Sequence, residues 1–241
     1  MRLDLYLSDA GLAKSRSEAK SLILEGAVSV NGKVITKPSQ DVADTDEVSV
    51  SAESKRYVSR GGYKLEGAFD TFDYSPFDKL ALDIGASSGG FTDCLLQNGA
   101  KHVIAVDSGF GQMAEHLRCD SRVTVKENYN ARYMKSSDLE YAPELIVMDV
   151  SFISATCIIP AIYEVAARKS DFICLVKPQF EVGRSGVGKG GIVKDEKLRK
   201  SALDKVVDCG ISVGFSFVGQ CLSPIKGGDG NVEYLVHFKK E

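Results

Sequence analysis

One glycine-rich segment, followed at a distance by an aspartate, has the residue types of a nucleotide-binding loop. The segment D-I-G-A-S-S-G-G-F-T starts at Asp83, at the end of the apolar run 80–84, and continues into a helical pattern. Glycines let a ligand approach the backbone closely, and the first amides of a helix can receive an anion. Asp107 follows the next apolar run, where an acid can accept hydrogen bonds from ribose hydroxyls. Together these residues predict a site for an adenosine-type ligand.

Four further charged residues are candidates for acid–base chemistry. Asp149 and Lys177 each follow a short apolar run, and substrates bind at the carboxyl ends of parallel strands in α/β sheets. Lys64 lies in a helical pattern ahead of the glycine-rich segment, and Glu233 lies early in the last apolar run. Taken singly, each is more often an ordinary surface charge. They form a site only if the fold brings them together.

A second glycine-rich segment, residues 183–190, satisfies the G-x-x-x-x-G-K pattern of a phosphate loop. Gly190 stands where such a loop needs Ser or Thr for magnesium. Residues 178–182 also separate it from the preceding strand, so we expect a long mobile loop and not a tight strand-to-helix turn. The segment is interpreted either as a lid over the substrate or as a plain flexible loop, and not as a site of NTP hydrolysis.

The elements that position these residues alternate between strands and helices. Apolar runs at 80–84, 103–106, 145–148 and 172–176 are separated by helical or loop segments, as in a parallel sheet covered on both faces. Two final strands, at 212–218 and 232–238, have no helical pattern between them, so this pair is expected to be antiparallel. The pattern predicts a doubly wound α/β domain over residues 63–241.

The first 52 residues predict a small α+β domain of their own. S-x-x-E at residues 15–18 is a capping box for the second of two short helices, which Gly26 can end. Asn31-Gly32 between alternating apolar residues predicts a hairpin, and residues 48–50 predict another strand. A basic linker, residues 53–62, ends in paired glycines and separates this domain from the next.

The composition is that of a folded, water-soluble protein. Hydrophobic residues make up 44% of the 241 positions and charged residues 26%. The net charge of −3 gives no global basic field, so contact with nucleic acid would need a local patch. No apolar run approaches the ~20 residues that cross a bilayer, and the cysteines lack zinc spacing. We therefore expect a cytoplasmic location, no membrane contact and no metal, while the oligomeric state stays open.

The N-terminal run K-S-R-S-E-A-K-x-L-I, followed by E-G-A-V-x-V-N-G-K, resembles the RNA-binding domain named after the small-subunit ribosomal protein S4. The resemblance implies contact between basic side chains and RNA phosphates, which is largely independent of base sequence. The residues that we expect to bind RNA in this domain and the linker are Arg2, Lys14, Arg16, Lys20, Arg56 and Arg60.

The rest of the chain resembles the TlyA family of methyltransferases. D-I-G-A-S-S-G-G-F-T-D is similar to the S-adenosylmethionine loop of the TlyA and FtsJ enzymes. R-Y-V-S-R-G-G-Y-K-L, D-V-S-F-I-S, L-V-K-P-Q-F-E and G-N-V-E-Y-L stand in the order seen in TlyA. The resemblance implies an α/β, Rossmann-like methyltransferase domain, mostly parallel with an antiparallel last strand, preceded by the small α+β RNA-binding domain. It implies a catalytic tetrad, Lys64, Asp149, Lys177 and Glu233. The residues expected to bind the cofactor S-adenosyl-L-methionine are Asp83, Gly85, Ser87, Gly89, Gly90, Phe91 and Asp107.

The family resemblance also implies the reaction, which is 2′-O-methylation of cytidine in small- and large-subunit ribosomal RNA. Lys177 is the candidate base or proton-orienting residue, because desolvation and the second cation Lys64 disfavour its charged form, whereas Asp149 and Glu233 oppose that shift. The substrate would be ribosomal RNA or a ribosomal subunit.

Three other functions stay open. The first is an RNA base methyltransferase that stacks a flipped base on Phe152, although D-V-S-F lacks the prolines of an amine-methylating motif. The second is a ribosome-assembly factor that binds without turnover. The third is a membrane-lytic haemolysin, a label that this family has also carried.

Overall fold

A computed structural model describes residues 1–13, 15–24, 26–51, 56–227 and 230–241. The chain divides into two units, Met1–Arg60 and Gly61–Glu241. The predicted RNA-binding residue Lys14, the side chain of Glu18 in the predicted capping box and linker residues 53–55 lie outside the described residues.

Two helices and a three-stranded antiparallel sheet make up the first unit. Their bounds are α1 Leu3–Asp9, α2 Arg16–Leu24, β1 Val28–Val30, β2 Lys33–Ile35 and β3 Val48–Val50, with β1 in the centre of the sheet. The hairpin between β1 and β2 turns at Asn31 and Gly32, whose φ angles are 51° and 76°. Two successive residues in the left-handed region are what a two-residue hairpin turn requires, so the predicted turn is confirmed.

Apolar side chains from both helices cover one face of this small sheet. Leu3 and Leu7 of α1 and Ile23 of α2 are fully buried and pack with Val28 of β1. Gly26 follows α2 with a φ of 71°, which suits a glycine after the end of a helix. The fold of the first unit agrees with the predicted small α+β domain.

The second unit contains a seven-stranded sheet with helices between its strands. Its helices are α3 Gly61–Phe72, α4 Gly90–Gln97, α5 Glu115–Arg118, α6 Ile159–Val165, α7 Pro178–Glu181 and α8 Glu196–Val213. Its strands are β4 Leu80–Ile84, β5 His102–Val106, β6 Val123–Lys126, β7 Leu145–Met148, β8 Ser170–Val176, β9 Ser216–Leu222 and β10 Tyr234–Lys240.

The order of the strands places a crevice in the middle of the sheet. The sheet runs β6-β5-β4-β7-β8-β10-β9; the first five strands are parallel, and β10 is antiparallel to both β8 and β9. The chain moves outward from β4 to β6 and then returns to β7 on the other side of β4, so the strand order reverses between β4 and β7. Ligands of open α/β sheets bind at the carboxyl ends of the strands at such a reversal. The expected mixed sheet with antiparallel final strands is confirmed.

Two local expectations are corrected, and one strand was not predicted. Residues 212 and 213, expected to begin a strand, end α8, because the helix buries Ala202, Val206 and Gly210 along one face and stops only at Gly214, whose φ is 115°. The strand β6 lacks a strong apolar run because it is a half-buried edge strand, and it was not among the predicted strands. The paired glycines placed in the linker, residues 61 and 62, form the first turn of α3.

The segment expected to be a long mobile loop contains short structured pieces. Residues Pro178–Glu181 form one helical turn, and Arg184–Gly186 and Lys189–Gly191 form 3₁₀ turns. The side chain of Asn231 fixes the last of them, since its amide donates to the Gly191 carbonyl over 2.9 Å and its oxygen accepts from the Val193 amide over 3.0 Å. The glycine-rich residues 183–190 lie between the helices α7 and α8 and not between a strand and a helix, so they do not have the context of a phosphate loop.

Candidate active site

The predicted site residues of the second unit meet at one edge of the sheet. Gly85, Asp107, Asp149 and Lys177 directly follow β4, β5, β7 and β8, and parallel strands end at the same edge. Because β10 runs in the opposite direction, Glu233, which directly precedes it, lies at this edge as well.

The glycine loop after β4 depends on close backbone contacts. Gly85 has a φ of 84°, and a Cβ atom on it would lie 2.2 Å from the Asp149 carbonyl oxygen. Gly89 has a φ of 99°, and a Cβ atom there would lie 2.4 Å from the side chain of Leu117. Any larger residue at either position would displace the loop. Both glycines therefore pack the loop against its neighbours, while Ser87 between them is exposed.

The start of α4 supplies the rest of the predicted loop. Gly90 is the first residue of the helix and is buried. The side chain of Phe91 is also buried, at 3% exposure, so it packs inside the domain and only its backbone is available for the cofactor contact predicted for it.

Asp107 holds two loops together through both of its carboxylate oxygens. Oδ2 accepts the Ser87 amide over 2.8 Å, and Oδ1 accepts the Gly109 amide over 2.6 Å. A carboxylate oxygen can accept a second hydrogen bond, so the group can still receive ribose hydroxyls. Phe110 follows in the same loop with 74% of its surface exposed, a flat apolar face of the kind on which a purine stacks. Sequence reasoning missed Phe110, although an aromatic residue in a loop directly after the ribose-type acid was a usable signal.

Asp83 lies beneath the glycine loop and is completely buried. Thr92 donates its hydroxyl to Oδ2 over 2.6 Å, while Oδ1 has no hydrogen-bond partner among the described residues. Burial, together with the nearby charges of Asp149 and Asp107, raises the pKa of Asp83 to about 7. A buried carboxyl oxygen without a partner is a suitable acceptor for an amine of a bound ligand.

The four residues of the predicted tetrad form two ion pairs. Lys64 Nζ donates to Glu233 Oε2 over 2.6 Å, and this pair is almost entirely buried. Lys177 Nζ lies 2.5 Å from Asp149 Oδ1 and donates to Ser151 Oγ over 2.8 Å. The expected repulsion of Lys177 by Lys64 is offset, because each lysine has its own carboxylate.

The pairing of β8 with β10 brings the two ion pairs to neighbouring positions. Tyr234 is paired with Val176 in antiparallel register, so the next residues outward are Glu233 and Lys177. Gly227 lies against the Glu233 carboxylate, and a Cβ atom at position 227 would be 2.4 Å from Glu233 Oε1. The structure therefore places the tetrad at one edge of the sheet, although the ion pairing could not be read from the sequence.

The loop after β7 carries Phe152 in a strained conformation. Its φ is 64°, a region that bulky residues rarely adopt, and its side chain is 91% exposed. The ring contacts only Phe180 among the aromatic side chains described, with 5.3 Å between the ring centroids. An exposed aromatic ring directly after Ser151, which accepts a hydrogen bond from Lys177, offers a stacking surface for a nucleobase.

A buried carboxylate fixes this loop to the helix after Lys177. Glu181 accepts the Ser154 hydroxyl over 2.5 Å and the Ala155 amide over 2.6 Å. Lys205 of α8 donates to the same carboxylate over 3.1 Å. Glu181 thereby links the segment that contains Ser151 to the segment that begins with Lys177. Sequence reasoning gave Glu181 and Ser151 no role, because nothing in their spacing shows that the two segments touch.

The described residues of the first unit that were predicted to bind RNA are exposed or half-buried, and two of them share an unexpected partner. Arg2 and Arg16 both bind the carboxylate of Asp4, Lys20 is exposed on α2, and the Arg56 guanidinium lies 5.1 Å from the centre of the Tyr57 ring. Arg60, the other predicted contact, is half-buried. These cations can form a local basic patch on a chain that carries no net positive charge.

A mostly parallel sheet with reversed final strands, a glycine loop after its first strand and an acid after its second define a Rossmann-like methyltransferase. Residues 57–240 match the family described as FtsJ-like methyltransferase, and residues 1–48 match the S4 domain. The chain is 46% identical to "Hemolysin A" of Brachyspira hyodysenteriae, with 99% of each chain covered. It therefore belongs to the FtsJ-like methyltransferases, in the TlyA/haemolysin A group that also carries an S4 domain.

Two other relatives cover the full chain. It is 43% identical to the 16S/23S rRNA (cytidine-2′-O)-methyltransferase TlyA of Mycobacterium tuberculosis, over 100% of this chain and 90% of the relative. A solved structure from Streptococcus thermophilus, 43% identical, covers 100% of this chain and 88% of the other with a TM-score of 0.80. In the described part of the chain, no helix has the length and apolar character needed to cross a membrane.

Proposed function

We infer that this protein transfers a methyl group from S-adenosylmethionine to the ribose 2′-hydroxyl of a cytidine in ribosomal RNA. The observation that carries this proposal is the Lys177–Asp149 pair at the carboxyl edge of the sheet, beside the glycine loop. A relative that is 43% identical over the whole chain is described as a 16S/23S rRNA (cytidine-2′-O)-methyltransferase. Because ribosomal RNA is the proposed substrate, we also propose a cytoplasmic location.

The residues at the edge fit the proposed cofactor. The unpartnered oxygen of Asp83 can accept the amino group of the methionine part, and Asp107 can accept ribose hydroxyls. The exposed ring of Phe110 can cover the adenine. When bound, S-adenosylmethionine supplies an electrophilic methyl group on a positively charged sulfur, so the protein does not need to activate the methyl group.

The protein must align the ribose oxygen and take its proton. Lys177 donates one of the three N–H groups of its ammonium to Ser151 and forms an ion pair with Asp149, so it keeps donor capacity for the ribose hydroxyl. As the methyl group moves to the ribose oxygen, the hydroxyl proton passes to the Asp149 carboxylate, because the Lys177 ammonium has no lone pair to accept it. The ammonium stabilises the negative charge that develops on the oxygen. Lys64 and Glu233 neutralise each other, so they add no net charge beside this pair.

The S4 domain supplies a separate surface for RNA. Its exposed cations can neutralise phosphates along the RNA, which gives affinity that falls steeply with salt and depends little on base sequence. Selection of one nucleotide then depends on the second unit, where Phe152 presents an exposed aromatic surface directly after Ser151, the residue that binds Lys177.

The test is to locate the transferred methyl group chemically. The protein is incubated with S-adenosylmethionine carrying a labelled methyl group and with purified ribosomal subunits, and the labelled nucleotide is mapped; Lys177→Met protein serves as the inactive control. Alkaline cleavage of RNA uses the 2′-oxygen as nucleophile, so a methyl group on that oxygen makes one linkage resistant to alkali. We expect a resistant linkage at a labelled cytidine.

Two outcomes would replace this proposal. A labelled nucleotide whose linkage hydrolyses normally would identify a base methyltransferase. Binding of cofactor and subunits with no transfer would identify a ribosome-binding factor without turnover.

A further inference from the structure

A buried acid lies beneath the basic surface of the S4 domain. Asp4, in the first turn of α1, is completely buried, although it belongs to a unit whose proposed partner carries a negative charge on every phosphate. Arg2 donates from Nε to Asp4 Oδ1 over 2.9 Å and from Nη2 to Oδ2 over 3.0 Å. Arg16 donates from Nε to Oδ2 over 3.1 Å. One carboxylate therefore joins a residue before α1 to the first residue of α2.

Asp4 takes only part of the hydrogen-bond donors of the two arginines. A guanidinium has five N–H groups, of which Arg2 uses two and Arg16 uses one on Asp4. Their side chains are 42% and 49% exposed, whereas Asp4 is shielded from solvent. The hydrogen bonds from both arginines hold the pKa of the Asp4 carboxyl well below its usual range, so the group of three carries one net positive charge at neutral pH.

Charge alone does not explain an acid at this position. A carboxylate reduces the attraction of the surface for RNA, and a buried ion pair adds little to the stability of a fold compared with apolar side chains of similar size. Its distinct effect here is geometric, because Asp4 fixes two long side chains from different elements. Arginine loses rotamer freedom when it binds a phosphate, and this loss is smaller when the side chain is already held.

We propose that Asp4 is a positioning residue of the RNA-binding surface, which holds the Arg2 and Arg16 guanidiniums in place to receive RNA phosphates. This inference rests on the proposed function only in taking RNA as the partner. It assigns Asp4 no contact with RNA, since its side chain is buried.

A substitution that removes the negative charge of Asp4 tests the proposal, because the electrostatic and the positioning roles predict opposite changes in RNA affinity. Asp4→Asn in the full chain adds one positive charge, so a purely electrostatic surface would bind RNA more tightly. We expect instead that binding to protein-free ribosomal RNA weakens about five- to tenfold, because the released arginines must be ordered on binding. The slope of log affinity against log KCl concentration should also become less steep, since each lost phosphate contact removes about 0.7–0.9 from it.

A matched control makes the same charge change without touching the arginines. Asp9→Asn replaces an exposed acid at the end of the same helix, and we expect it to bind RNA as tightly as the parent or slightly more tightly. If Asp4→Asn behaves like Asp9→Asn, or binds more tightly than the parent, the proposal is wrong. If the parent itself binds no ribosomal RNA, the proposed function fails, which is a separate result.

Two further variants distinguish positioning from general loss of structure. In an Arg2→Ala/Arg16→Ala background, Asp4→Asn should cause no additional weakening, whereas a purely structural role would still reduce binding. Arg16→Lys keeps the charge but lacks the Nε donor that reaches Asp4, and we expect it to bind about threefold to tenfold more weakly. Arg16→Lys with parental affinity would overturn the proposal even if Asp4→Asn failed to fold.

Discussion

Replacement of Lys177 by Met tests the proton-handling pair directly. Methionine keeps most of the length of the side chain but removes the ammonium, so the ribose hydroxyl loses its donor and Asp149 loses its ion-pair partner at 2.5 Å. A positioned acid–base group is worth about 10²–10⁴ in rate, or ~3–5 kcal/mol of activation free energy. We therefore expect single-turnover methyl transfer at saturating cofactor and RNA to fall at least a hundredfold.

The fold should survive this change. Asp149 is partly exposed and keeps access to water, so the loss of its partner should cost about 1–3 kcal/mol, less than the total stability of a typical domain. Cofactor affinity and RNA affinity should stay within a few-fold of the parent. Lys189→Met, which changes an exposed lysine in the second glycine-rich segment, is the matched control and should transfer methyl groups normally.

The Lys177–Asp149 pair also predicts how the rate losses of single and double variants combine. Asp149→Asn keeps the shape of the side chain but removes the proton acceptor, and it should lower the rate about as much as Lys177→Met. The double variant should be little slower than either single one, because two residues that act as one unit are not additive. Near-normal transfer by folded Lys177→Met, or rate losses that multiply in the double variant, would refute the assignment.

Three other changes test the residues around the pair. Asp107→Ala should weaken cofactor binding by tenfold or more in calorimetry, because two loop amides and the ribose hydroxyls lose their acceptor; unchanged affinity would exclude that role. Glu181→Gln should lower the single-turnover rate about tenfold with little change in cofactor affinity, because Ser154 and Lys205 lose a charged acceptor and the loop after β7 is held less firmly. Equal losses of rate and of cofactor affinity would indicate a general structural role. Folding raises the pKa of Asp83 to about 7, so the folded protein favours the protonated carboxyl. The stabilisation of the fold by this proton is complete below about pH 4 and is lost as the pH rises to 7. The free energy of unfolding of Asp83→Asn should therefore rise relative to that of the parent between pH 5 and pH 7 in the absence of cofactor, and a difference independent of pH would contradict the shift.

The sequence predicted those features that depend on residue type and on order along the chain. The glycine loop, Asp107 and the two charged residues after β7 and β8 could be placed because each follows an apolar run that reads as a strand. Because parallel strands end at the same edge of a sheet, the sequence alone predicts that these residues lie close together. The hairpin at Asn31-Gly32 was predictable because so few residues adopt its backbone conformation.

The features that the sequence did not predict depend on contacts between distant segments. Asp4 lies in a short helix where an acid is ordinarily exposed, and its ion pair with Arg16 joins two helices that the sequence does not show to be in contact. Glu181 looks like a surface charge after a proline, yet it binds a loop 26 residues earlier in the chain. The end of α8 was predicted as a strand because β-branched residues there favour strands. In the structure the burial of one face of the helix outweighs that local preference.

The reversed direction of β10 explains how Glu233 joins the other three charged residues. Lys177 directly follows β8, so it lies at the carboxyl edge, and a parallel neighbour would begin at the opposite edge of the sheet. The residue preceding a parallel strand of seven residues would then lie eight residue steps, or about 26 Å, from Lys177 at roughly 3.3 Å per residue. In the antiparallel arrangement, the residue before β10 lies next to the residue after β8, and Lys64 of α3 binds it there. The antiparallel final hairpin is therefore a requirement of the tetrad, since it brings the last acid of the chain to the edge where the cofactor loop ends.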